Sequence, residues 1–460
     1  MNRINKRTYL MYIFAVLFLA GIVILFFTMQ INSGKWVIKT YNKHLYNKGE
    51  IIAAGTITDR YGVVLAETKN GERVFNESAA VREATLHVVG DTGGFISTGI
   101  HSSMKSNLTG YSLINGVYTI KKKGTGNDVQ LSIDSRLSVD ALKALGDYKG
   151  TIGVYNYVTG EIYCAVSNPT YDVLHKPDDI MTDTTGKYEG IYMNRFFTGL
   201  YTPGSTFKLV TSTCAIDNIL DIDNRTFSCD GAWTNKVGSK VNCTGHHGHP
   251  DFKTALAHSC NSSFAAIAVE LGKTKMGDTA AQCGFNKSIK VDNFYCAKSK
   301  FDVSKAYDID LAWAGIGQYT TLVNPCHEIT LIGAIANKNG TAPTPTLIKG
   351  NRTDNLNYMG SVAAKKLYGM MRNNVTSYYK DSSFPGLQMA GKTGTAEVAN
   401  KRPNAWFVGF SQRDDLPLAI VVVCEDAGSA PKIAIPIANK VMQKALDYYV
   451  KAYAKPANDN

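Results

Sequence analysis

The chain has 460 residues, of which 44% are hydrophobic and 19% are charged, with 41 glycines and 13 prolines. This composition excludes wholesale disorder, and the absence of a Gly-x-y period excludes a collagen-like structure. At this length we expect more than one folded unit and a large core. The formal net charge is +11, and residues 1–49 contain seven basic residues and no acidic one. Because the basic excess is local to the N-terminus, a nucleic-acid partner is disfavoured.

The first predicted element is an apolar helix near the N-terminus. Tyr9 to Met29 form a run of 21 residues without a charge, and about 20 apolar residues cross the hydrocarbon layer of a membrane. The run is longer than the apolar region of a cleaved signal peptide, and no small-residue cleavage pattern follows it. We therefore predict a cytoplasmic tail over 1–8 and one transmembrane helix over 9–29. The short tail favours a body outside the cell membrane, although basic residues on the two sides nearly balance.

Residues 30–148 are predicted to form a stalk and a small N-terminal domain. Within it, residues 55–66 alternate around a Tyr-Gly turn and indicate a β-hairpin. Residues 67–130 are rich in glycine, serine and asparagine. The stretch Val129–Asp134 predicts a further strand, which a helix to about Leu145 follows.

The pattern changes near residue 150, where β-strands and long helices begin to predominate. Early strands, central helices, late strands and an amphipathic helix over 433–453 predict an antiparallel sheet packed by helices, an α+β architecture over 149–453. A short tail over 454–460 follows it. The predicted strands are Thr151–Tyr157, Glu161–Val166, Gln388–Glu397, Ala405–Phe410 and Leu418–Glu425.

A serine and a lysine lie three positions apart at the predicted start of a buried helix. A Thr-Pro pair precedes Ser205, and Lys208 would lie on the same helical face. A serine alcohol needs a base to become a nucleophile, and a desolvated lysine can lose its proton near neutral pH. Ser-x-x-Lys is a short pattern, however, and Ser102 with Lys105 forms a second copy without a helix signature. The pair alone therefore does not establish an active site.

Two further polar groups interrupt apolar elements. Ser259-Cys-Asn261 lies between two predicted helices, where it would either face a cleft or cap a helix. Lys392-Thr-Gly-Thr395 lies inside a predicted strand, although lysine and glycine are poor strand residues. Gly394 would let a substrate backbone approach closely, and Lys392 would offer a cation to a carboxylate. The structural alternative is an edge-strand lysine beside a bulge.

Ser-x-x-Lys, Ser-x-Asn and Lys-Thr-Gly, in that order, resemble the signature of the penicillin-binding protein and serine β-lactamase superfamily. The chain looks like a class B penicillin-binding protein, and its N-terminal domain is similar in size to that of the penicillin-binding protein A group. The resemblance covers about 150–453 and, more weakly, 55–66, where Ala54-Gly55 replaces the usual Arg-Gly. Its segments are Gly160-Glu161, Ser167–Asp172, Asn194-Arg195, Tyr201–Lys208, Gly315–Pro325, Ala334–Asn337, Lys392–Thr395 and Ala405–Gly409.

The resemblance implies a penicillin-binding/serine β-lactamase-like transpeptidase domain and a D,D-transpeptidase reaction. The implied substrates are peptidoglycan stem peptides ending in D-Ala-D-Ala on glycan strands, which are crosslinked through a serine acyl-enzyme, with D,D-carboxypeptidase as a side reaction. β-Lactams are expected to acylate the same serine. No cofactor is implied, and the implied partner is a membrane-embedded glycan polymerase of the shape, elongation, division and sporulation class.

The resemblance also implies a role for each motif residue. Backbone N–H groups of Ser205 and Thr395 would form the oxyanion hole. The implied roles are nucleophile for Ser205, general base for Lys208, proton relay to the leaving D-alanine for Ser259, orientation of the substrate amide or of Lys208 for Asn261, and binding of the terminal carboxylate for Lys392, Thr393 and Thr395 beside Gly394.

Three other functions are weighed against this one. A β-lactamase would need a positioned glutamate for deacylation, and no Glu-x-x-x-Asn lies between Ser259 and Lys392. A penicilloyl sensor would carry several membrane spans or a cytoplasmic effector domain. A catalytically idle penicillin-binding scaffold subunit of a wall-synthesis complex would retain all three motifs, and it stays open as the alternative.

The nine cysteines include no Cys-x-x-Cys pattern. Cys229 and Cys243 flank a polar loop whose closure by a disulfide would stabilise the fold by ~3 kcal/mol, and free thiols are the alternative. His246-His247-Gly-His249 lacks a closed ligand set, and no cysteine pair has zinc-finger spacing. The sequence therefore predicts no metal site.

Overall fold

The computed structural model describes residues 2–37, 46–47, 50–51, 54–110 and 126–451. The predicted tail over 454–460 lies outside the described residues, as does the part of the predicted stalk over 38–45. The helices are α1 (Asn2–Val37), α2 (Ala79–Val89), α3 (Ile100–Ser103), α4 (Lys105–Leu108), α5 (Ser135–Leu145), α6 (Arg195–Thr198), α7 (Lys208–Asn218), α8 (Phe252–Ala257), α9 (Asn261–Gln282), α10 (Asp308–Gly315), α11 (Pro325–Ala336), α12 (Ser361–Asn373) and α13 (Ala430–Leu446).

The strands are β1 (Tyr46–Asn47), β2 (Glu50–Ile51), β3 (Ile57–Thr58), β4 (Val64–Lys69), β5 (Glu72–Phe75), β6 (Val129–Gln130), β7 (Gly150–Asn156), β8 (Ile162–Asn168), β9 (Ala232–Thr234), β10 (Lys240–Asn242), β11 (Lys290–Val291), β12 (Phe294–Tyr295), β13 (Thr341–Pro343), β14 (Asn355–Asn357), β15 (Met389–Val398), β16 (Lys401–Ser411) and β17 (Leu418–Cys424).

Helix α1 is long and apolar enough to cross a membrane. Its candidate span, Ile4–Asn32, has 29 residues; the most apolar 18 of them have a mean hydropathy of 2.9 and are not buried against the rest of the chain. The 36 residues of α1 give a length of ~54 Å at about 1.5 Å per residue. The predicted span over 9–29 therefore lies inside one continuous helix that exceeds the ~30 Å hydrocarbon layer.

A five-stranded antiparallel sheet in the order β15-β16-β17-β7-β8 forms the centre of the larger domain. Its middle strand, β17, is buried at every position. Ala419, Val421 and Val423 pack into the core on one face, whereas the alternate residues pack into a second core on the other face. Helices thus cover both faces, and the predicted α+β sheet is confirmed.

Helix α5 packs on the central sheet and also contacts α2 in the N-terminal part of the chain. Leu137, Ala141 and Leu145 recur at every fourth position and lie in the same core as α13 and one face of the sheet. The predicted boundary at 148 assigned this helix to the N-terminal domain, and that boundary stays a prediction because the helix contacts both parts of the chain. The amphipathic pattern predicted a helix but did not specify the sheet that covers its apolar face.

Four short strands within residues 57–75 and 129–130 form a sheet in the order β5-β4-β3-β6. The predicted hairpin over 55–66 is confirmed, because β3 pairs antiparallel with β4. Gly62, in the turn between them, has a φ of 84°, a conformation that glycine adopts without strain. Ser102 and Lys105 lie in two different short helices, α3 and α4, so the second Ser-x-x-Lys does not share one helical face.

Candidate active site

The nucleophile segment forms one 3₁₀ turn, Gly204–Phe207, which leads directly into α7 at Lys208. Ser205 therefore lies in the turn before the α-helix, not inside its first turn as the sequence predicted. The Nε1 atom of Trp406 donates a hydrogen bond to the carbonyl oxygen of Thr202 at 3.1 Å. This bond ties the turn to β16 in the central sheet.

The side-chain nitrogen of Lys208 lies among four oxygen atoms. Nζ is 3.0 Å from Ser205 Oγ and 3.2 Å from Ser259 Oγ. The two shortest distances are 2.6 Å to the carbonyl oxygen of Ser259 and 2.7 Å to Oδ1 of Asn261. A neutral amine has two protons, which these two acceptors would occupy. Its lone pair would then be free for the hydroxyl proton of Ser205.

Burial lowers the pKa of Lys208 from its usual 10.5 to about 7, although the charges of Cys260 and Cys243 act in the opposite direction. The side chain is fully buried, and desolvation disfavours its ammonium form. A lysine with such a pKa is substantially neutral at physiological pH and can serve as a base.

Ser259 has a backbone conformation that is uncommon for a serine. Its φ is 56°, in the left-handed region that costs of order 1 kcal/mol for a residue other than glycine. In this conformation both its carbonyl oxygen and its Oγ lie near Lys208 Nζ. Cys260 caps α9 and Asn261 is its first residue. The Ser259–Asn261 turn therefore both faces the active site and begins a helix.

Lys392 and Thr393 lie on β15, the edge strand of the central sheet. Lys392 is fully buried, and its Nζ donates to Ser259 Oγ and to the carbonyl oxygen of Thr393, both at 2.9 Å. Burial, followed by the charge of Lys208, lowers the pKa of Lys392. The edge-strand position, which the sequence analysis gave as the structural alternative, is observed, and the lysine also contacts the second motif.

Tyr379 contacts the Lys-Thr-Gly strand and was missed by the sequence analysis. Its hydroxyl lies 3.0 Å from Thr393 Oγ1 and accepts the backbone N–H of Thr393 at 3.1 Å. Tyr379 ends a π-helical segment, Asn374–Tyr379, that follows α12. No pattern around this tyrosine indicated its role, since the contact depends on the irregular end of the helix.

The close contact between β15 and the nucleophile turn requires a glycine at position 394. A Cβ atom at this position would lie 2.6 Å from the carbonyl oxygen of Pro203 and 3.0 Å from Thr206 Cγ2. The nucleophile turn therefore approaches Gly394 closely, and the approach of a substrate backbone stays a prediction. Thr395, one position further along β15, is exposed.

All eight predicted site residues lie in these three adjacent segments. Ser205, Lys208, Ser259, Asn261 and Lys392 are linked by the side-chain contacts described above. Thr393, Gly394 and Thr395 continue β15 beside the turn that carries Ser205. The structure thus brings the three motifs together, and the catalytic roles of their residues stay predictions.

Of the two alternatives for Cys229 and Cys243, the structure has free thiols and no disulfide, and all nine cysteines are free. Both sulfur atoms lie 3.4 Å from Nδ1 of His247, so they point at the imidazole. Cys243 Sγ is also 3.9 Å from Cys260 Sγ. Cys260 is the middle residue of the Ser-x-Asn motif, and this cluster therefore adjoins the catalytic turn.

The sequence model described as "Penicillin binding protein transpeptidase domain" matches residues 150–443. The chain belongs to this family. The chain is 24% identical over 363 residues to the peptidoglycan D,D-transpeptidase PbpA of Mycolicibacterium smegmatis, covering 70% of this chain and 73% of that relative. It is 27% identical over 328 residues to penicillin-binding protein 3 of Bacillus subtilis, covering 66% of this chain and 48% of that relative.

Solved structures share the fold. The D,D-transpeptidase domain of a peptidoglycan glycosyltransferase from Eggerthella lenta superposes with a TM-score of 0.73 at 26% identity, over 86% of this chain and 98% of that chain. Penicillin-binding protein A from M. tuberculosis, as a ceftriaxone acyl-enzyme, gives 0.74 at 21% identity over the same shares. The predicted family and fold class are confirmed.

Proposed function

We propose that the protein is a peptidoglycan D,D-transpeptidase that crosslinks stem peptides through an acyl-enzyme on Ser205 and binds penicillin at the same residue. One observation carries the proposal: the fully buried Lys208 Nζ lies 3.0 Å from Ser205 Oγ. A nucleophile and a base within hydrogen-bond distance, with the base held by further groups, are the arrangement that acyl transfer needs.

In the first step Ser205 Oγ attacks the penultimate carbonyl carbon of the stem peptide, and its proton passes to the neutral Nζ of Lys208. The negative charge then develops on the carbonyl oxygen. Backbone N–H groups of Ser205 and Thr395 would stabilise that oxyanion. Loss of one such donor typically raises the barrier by ~3–4 kcal/mol.

The leaving D-alanine needs a proton on its nitrogen when the peptide bond breaks. Ser259 Oγ lies 3.2 Å from Lys208 Nζ and 2.9 Å from Lys392 Nζ, so it can pass a proton from either amine to the leaving group. Asn261 keeps Lys208 oriented through its Oδ1, and its Nδ2 donates to the carbonyl oxygen of Asn242 at 2.9 Å.

The terminal carboxylate of the donor peptide would bind along β15. Thr395 is exposed and Thr393 is nearly buried, so the hydroxyl of Thr395 is the more accessible of the two. Because Lys392 Nζ is directed at Ser259 and Thr393, we assign it an electrostatic role beneath the carboxylate. An amine of a neighbouring stem peptide then attacks the ester, whereas water in its place would give D,D-carboxypeptidase activity.

Helix α1 would anchor the enzyme as a single-pass protein with its catalytic domain outside the membrane. Its length and hydropathy support an anchor, and peptidoglycan crosslinking takes place on that side. A membrane-embedded glycan polymerase is the partner that would supply new strands. A reporter enzyme that is active only outside the cytoplasm, fused after residue 460, should be active.

Labelling of the full-length protein with a fluorescent penicillin tests the proposal. We expect lasting label on the wild type and none on Ser205→Ala, with crosslinked product formed from a D-Ala-D-Ala stem-peptide substrate. Label without crosslinked product, or absence of label, would favour the idle scaffold. Rapid release of label would favour a β-lactamase.

A further inference from the structure

Four potential metal ligands converge beside the Ser-x-Asn motif. The sulfur atoms of Cys229, Cys243 and Cys260 and a ring nitrogen of His247 all lie within 4.8 Å of one another. The measured pairs are 3.4 Å from Cys229 Sγ to His247 Nδ1, 3.4 Å from Cys243 Sγ to the same nitrogen, and 3.9 Å between the sulfur atoms of Cys243 and Cys260.

The three measured separations lie close to those between ligands of one tetrahedral zinc ion, and the other pairs lie within 4.8 Å. Zinc binds thiolate sulfur at about 2.3 Å and imidazole nitrogen at about 2.0–2.1 Å, so ligand pairs in a tetrahedron lie about 3.4–3.8 Å apart. Three thiolates with one imidazole form a closed set typical of structural zinc sites, and soft sulfur ligands disfavour magnesium and calcium. A disulfide would account for only two of the three sulfur atoms and would give no role to the imidazole, whereas a zinc ion would bind all four groups.

The backbone presents the ligands from three separate elements. Cys229 precedes the β9–β10 hairpin and Cys243 follows it directly. The backbone N–H of Cys243 donates to the carbonyl oxygen of Gly231, and that of His247 donates to the carbonyl oxygen of Cys229. Cys260 caps α9. The β9–β10 hairpin and the residues that flank it thus carry three of the ligands, and they contact the N-terminus of α9, which carries the fourth.

Backbone N–H groups are also directed at the sulfur atoms, as thiolate ligands require. The N–H of Asn261 donates to Cys243 Sγ at 3.2 Å, and the N–H of Ser263 donates to Cys260 Sγ at 3.5 Å. The hydroxyl of Ser263 donates to Cys260 Sγ at 3.1 Å. Such outer hydrogen bonds stabilise thiolates and fix the orientation of metal ligands.

We propose that Cys229, Cys243, Cys260 and His247 bind one zinc ion, and that this ion holds Ser259 and Asn261 in their catalytic positions. Binding converts three thiols to thiolates and releases their protons, so the zinc complex carries a net charge of −1. The sequence analysis did not single out this ligand set because its members are distant in sequence and include only one of the three clustered histidines.

The positional part of the proposal rests on the proposed function, whereas the binding part does not. Cys260 lies between Ser259 and Asn261, so its bond to a metal fixes the centre of the turn. The N–H of Asn261 contacts a second ligand, Cys243. Ser259 has a strained φ of 56°, which surrounding contacts must maintain. A metal bonded to the neighbouring residue supplies that constraint.

Metal analysis of the full-length protein in detergent tests the binding part. The protein is prepared with a tag that contains no histidine, from cells grown with zinc. We expect one zinc per chain in the wild type and in His249→Ala, the matched control, since His249 is exposed in the same loop. His247→Ala and Cys229→Ser should lose most of it. Cobalt(II) replacement should give a thiolate-to-cobalt charge-transfer band that weakens in Cys229→Ser. Zinc content near zero in the wild type, or unchanged in both ligand variants, would overturn the site.

Penicillin labelling of the same samples tests the positional part. Because a displacement of about 1 Å can slow a reaction about 100-fold, we expect His247→Ala to be acylated about 100-fold more slowly, and His249→Ala to match the wild type. If His247→Ala does not fold, wild-type protein stripped by a chelator and reloaded with zinc replaces it. Stripped protein that is acylated at the wild-type rate would overturn the positional role.

The two proposals fail separately. Zinc bound by these ligands in a wild type that takes no penicillin label on Ser205 contradicts the proposed function and the positional role, and leaves the metal site supported. Label on Ser205 in a wild type without zinc contradicts the metal site and leaves the proposed function supported.

Discussion

The side-chain nitrogen of Lys392 lies 2.9 Å from the hydroxyl oxygen of Ser259. The same oxygen lies 3.2 Å from Nζ of Lys208, so one hydroxyl bridges two fully buried amines. Burial lowers the pKa of both lysines, and the charge of Lys208 lowers that of Lys392 further. Since two ammonium groups so close together repel each other, we expect one amine to be neutral when the site is active.

Removal of the bridging hydroxyl should slow acylation without unfolding the turn. We expect Ser259→Gly to lower the rate of penicillin acylation by roughly 10²–10⁴-fold, the usual contribution of a positioned proton-transfer group. Glycine accepts the φ of 56° at this position, so this variant should be at least as stable as Ser259→Ala. Acylation of Ser259→Gly at the wild-type rate, measured by stopped-flow fluorescence, would show that the hydroxyl is not a relay.

The rate of acylation should rise with pH through about 7, because the pKa of Lys208 is lowered to about 7 and only its neutral form accepts the proton of Ser205. Each pH unit below that value should slow the reaction about tenfold, and the rate should level off above it. The charged groups near Lys208 are Lys392, Cys243 and Cys260, and the two cysteines raise its pKa.

The pH dependence is measured with a penicillin whose own charge does not change over the range. The unfolding midpoint at each pH serves as the control for loss of structure. A flat profile in protein that stays folded would contradict the role of Lys208 as the base.

Gly394→Ala should separate β15 from the nucleophile turn. The added Cβ would lie 2.6 Å from the carbonyl oxygen of Pro203, so one of the two segments must move. We expect acylation to slow about 100-fold and the free energy of unfolding to fall by about 1–3 kcal/mol.

Gly369→Ala is the matched control for that substitution. Gly369 is exposed in α12, and a Cβ there meets no atom within 4 Å. This variant should gain about 0.5–1 kcal/mol of stability and keep the wild-type rate. Equal rates in the two variants would show that the gap between β15 and Pro203 tolerates a methyl group.

The three motifs could be identified in the sequence. The helices and strands that carry them could be predicted because short-range periodicity and turn residues determine local structure. The sequence did not predict that α5 packs on the central sheet, since an amphipathic face does not identify its partner. It also missed the contact of Tyr379 with Thr393 and the sulfur–imidazole cluster around His247. These features depend on residues that only tertiary folding brings together.

The ion pair between Arg82 on α2 and Asp172 after β8 should contribute strongly to stability. Nε donates to Oδ1 at 2.6 Å and Nη2 to Oδ2 at 2.7 Å, and the side chains are 7% and 10% exposed. Removal of one partner leaves a buried charge unpaired, so Arg82→Ala should lower the free energy of unfolding by about 3–5 kcal/mol. The more exposed pair of Arg413 and Asp415, whose side chains are 27% and 50% exposed, is the control. Arg413 also donates to the carbonyl oxygen of Gly386, so the control variant is Asp415→Ala, which should cost about 0–1 kcal/mol.

The same ion pair predicts a pH dependence of stability. The hydrogen bond from Arg82 is the main reason that the pKa of Asp172 lies below its usual value of 3.8, with His175 adding to it and burial opposing it. Because the folded state holds the carboxyl ionised, the stabilisation is present above about pH 4 and is lost as the pH falls towards the lowered value. The difference in unfolding free energy between the wild type and Asp172→Asn, measured by denaturant titration in detergent, should therefore shrink below about pH 4. A difference that stays constant down to strongly acidic pH would mean that the charge of Asp172 does not stabilise the contact between α2 and the catalytic domain.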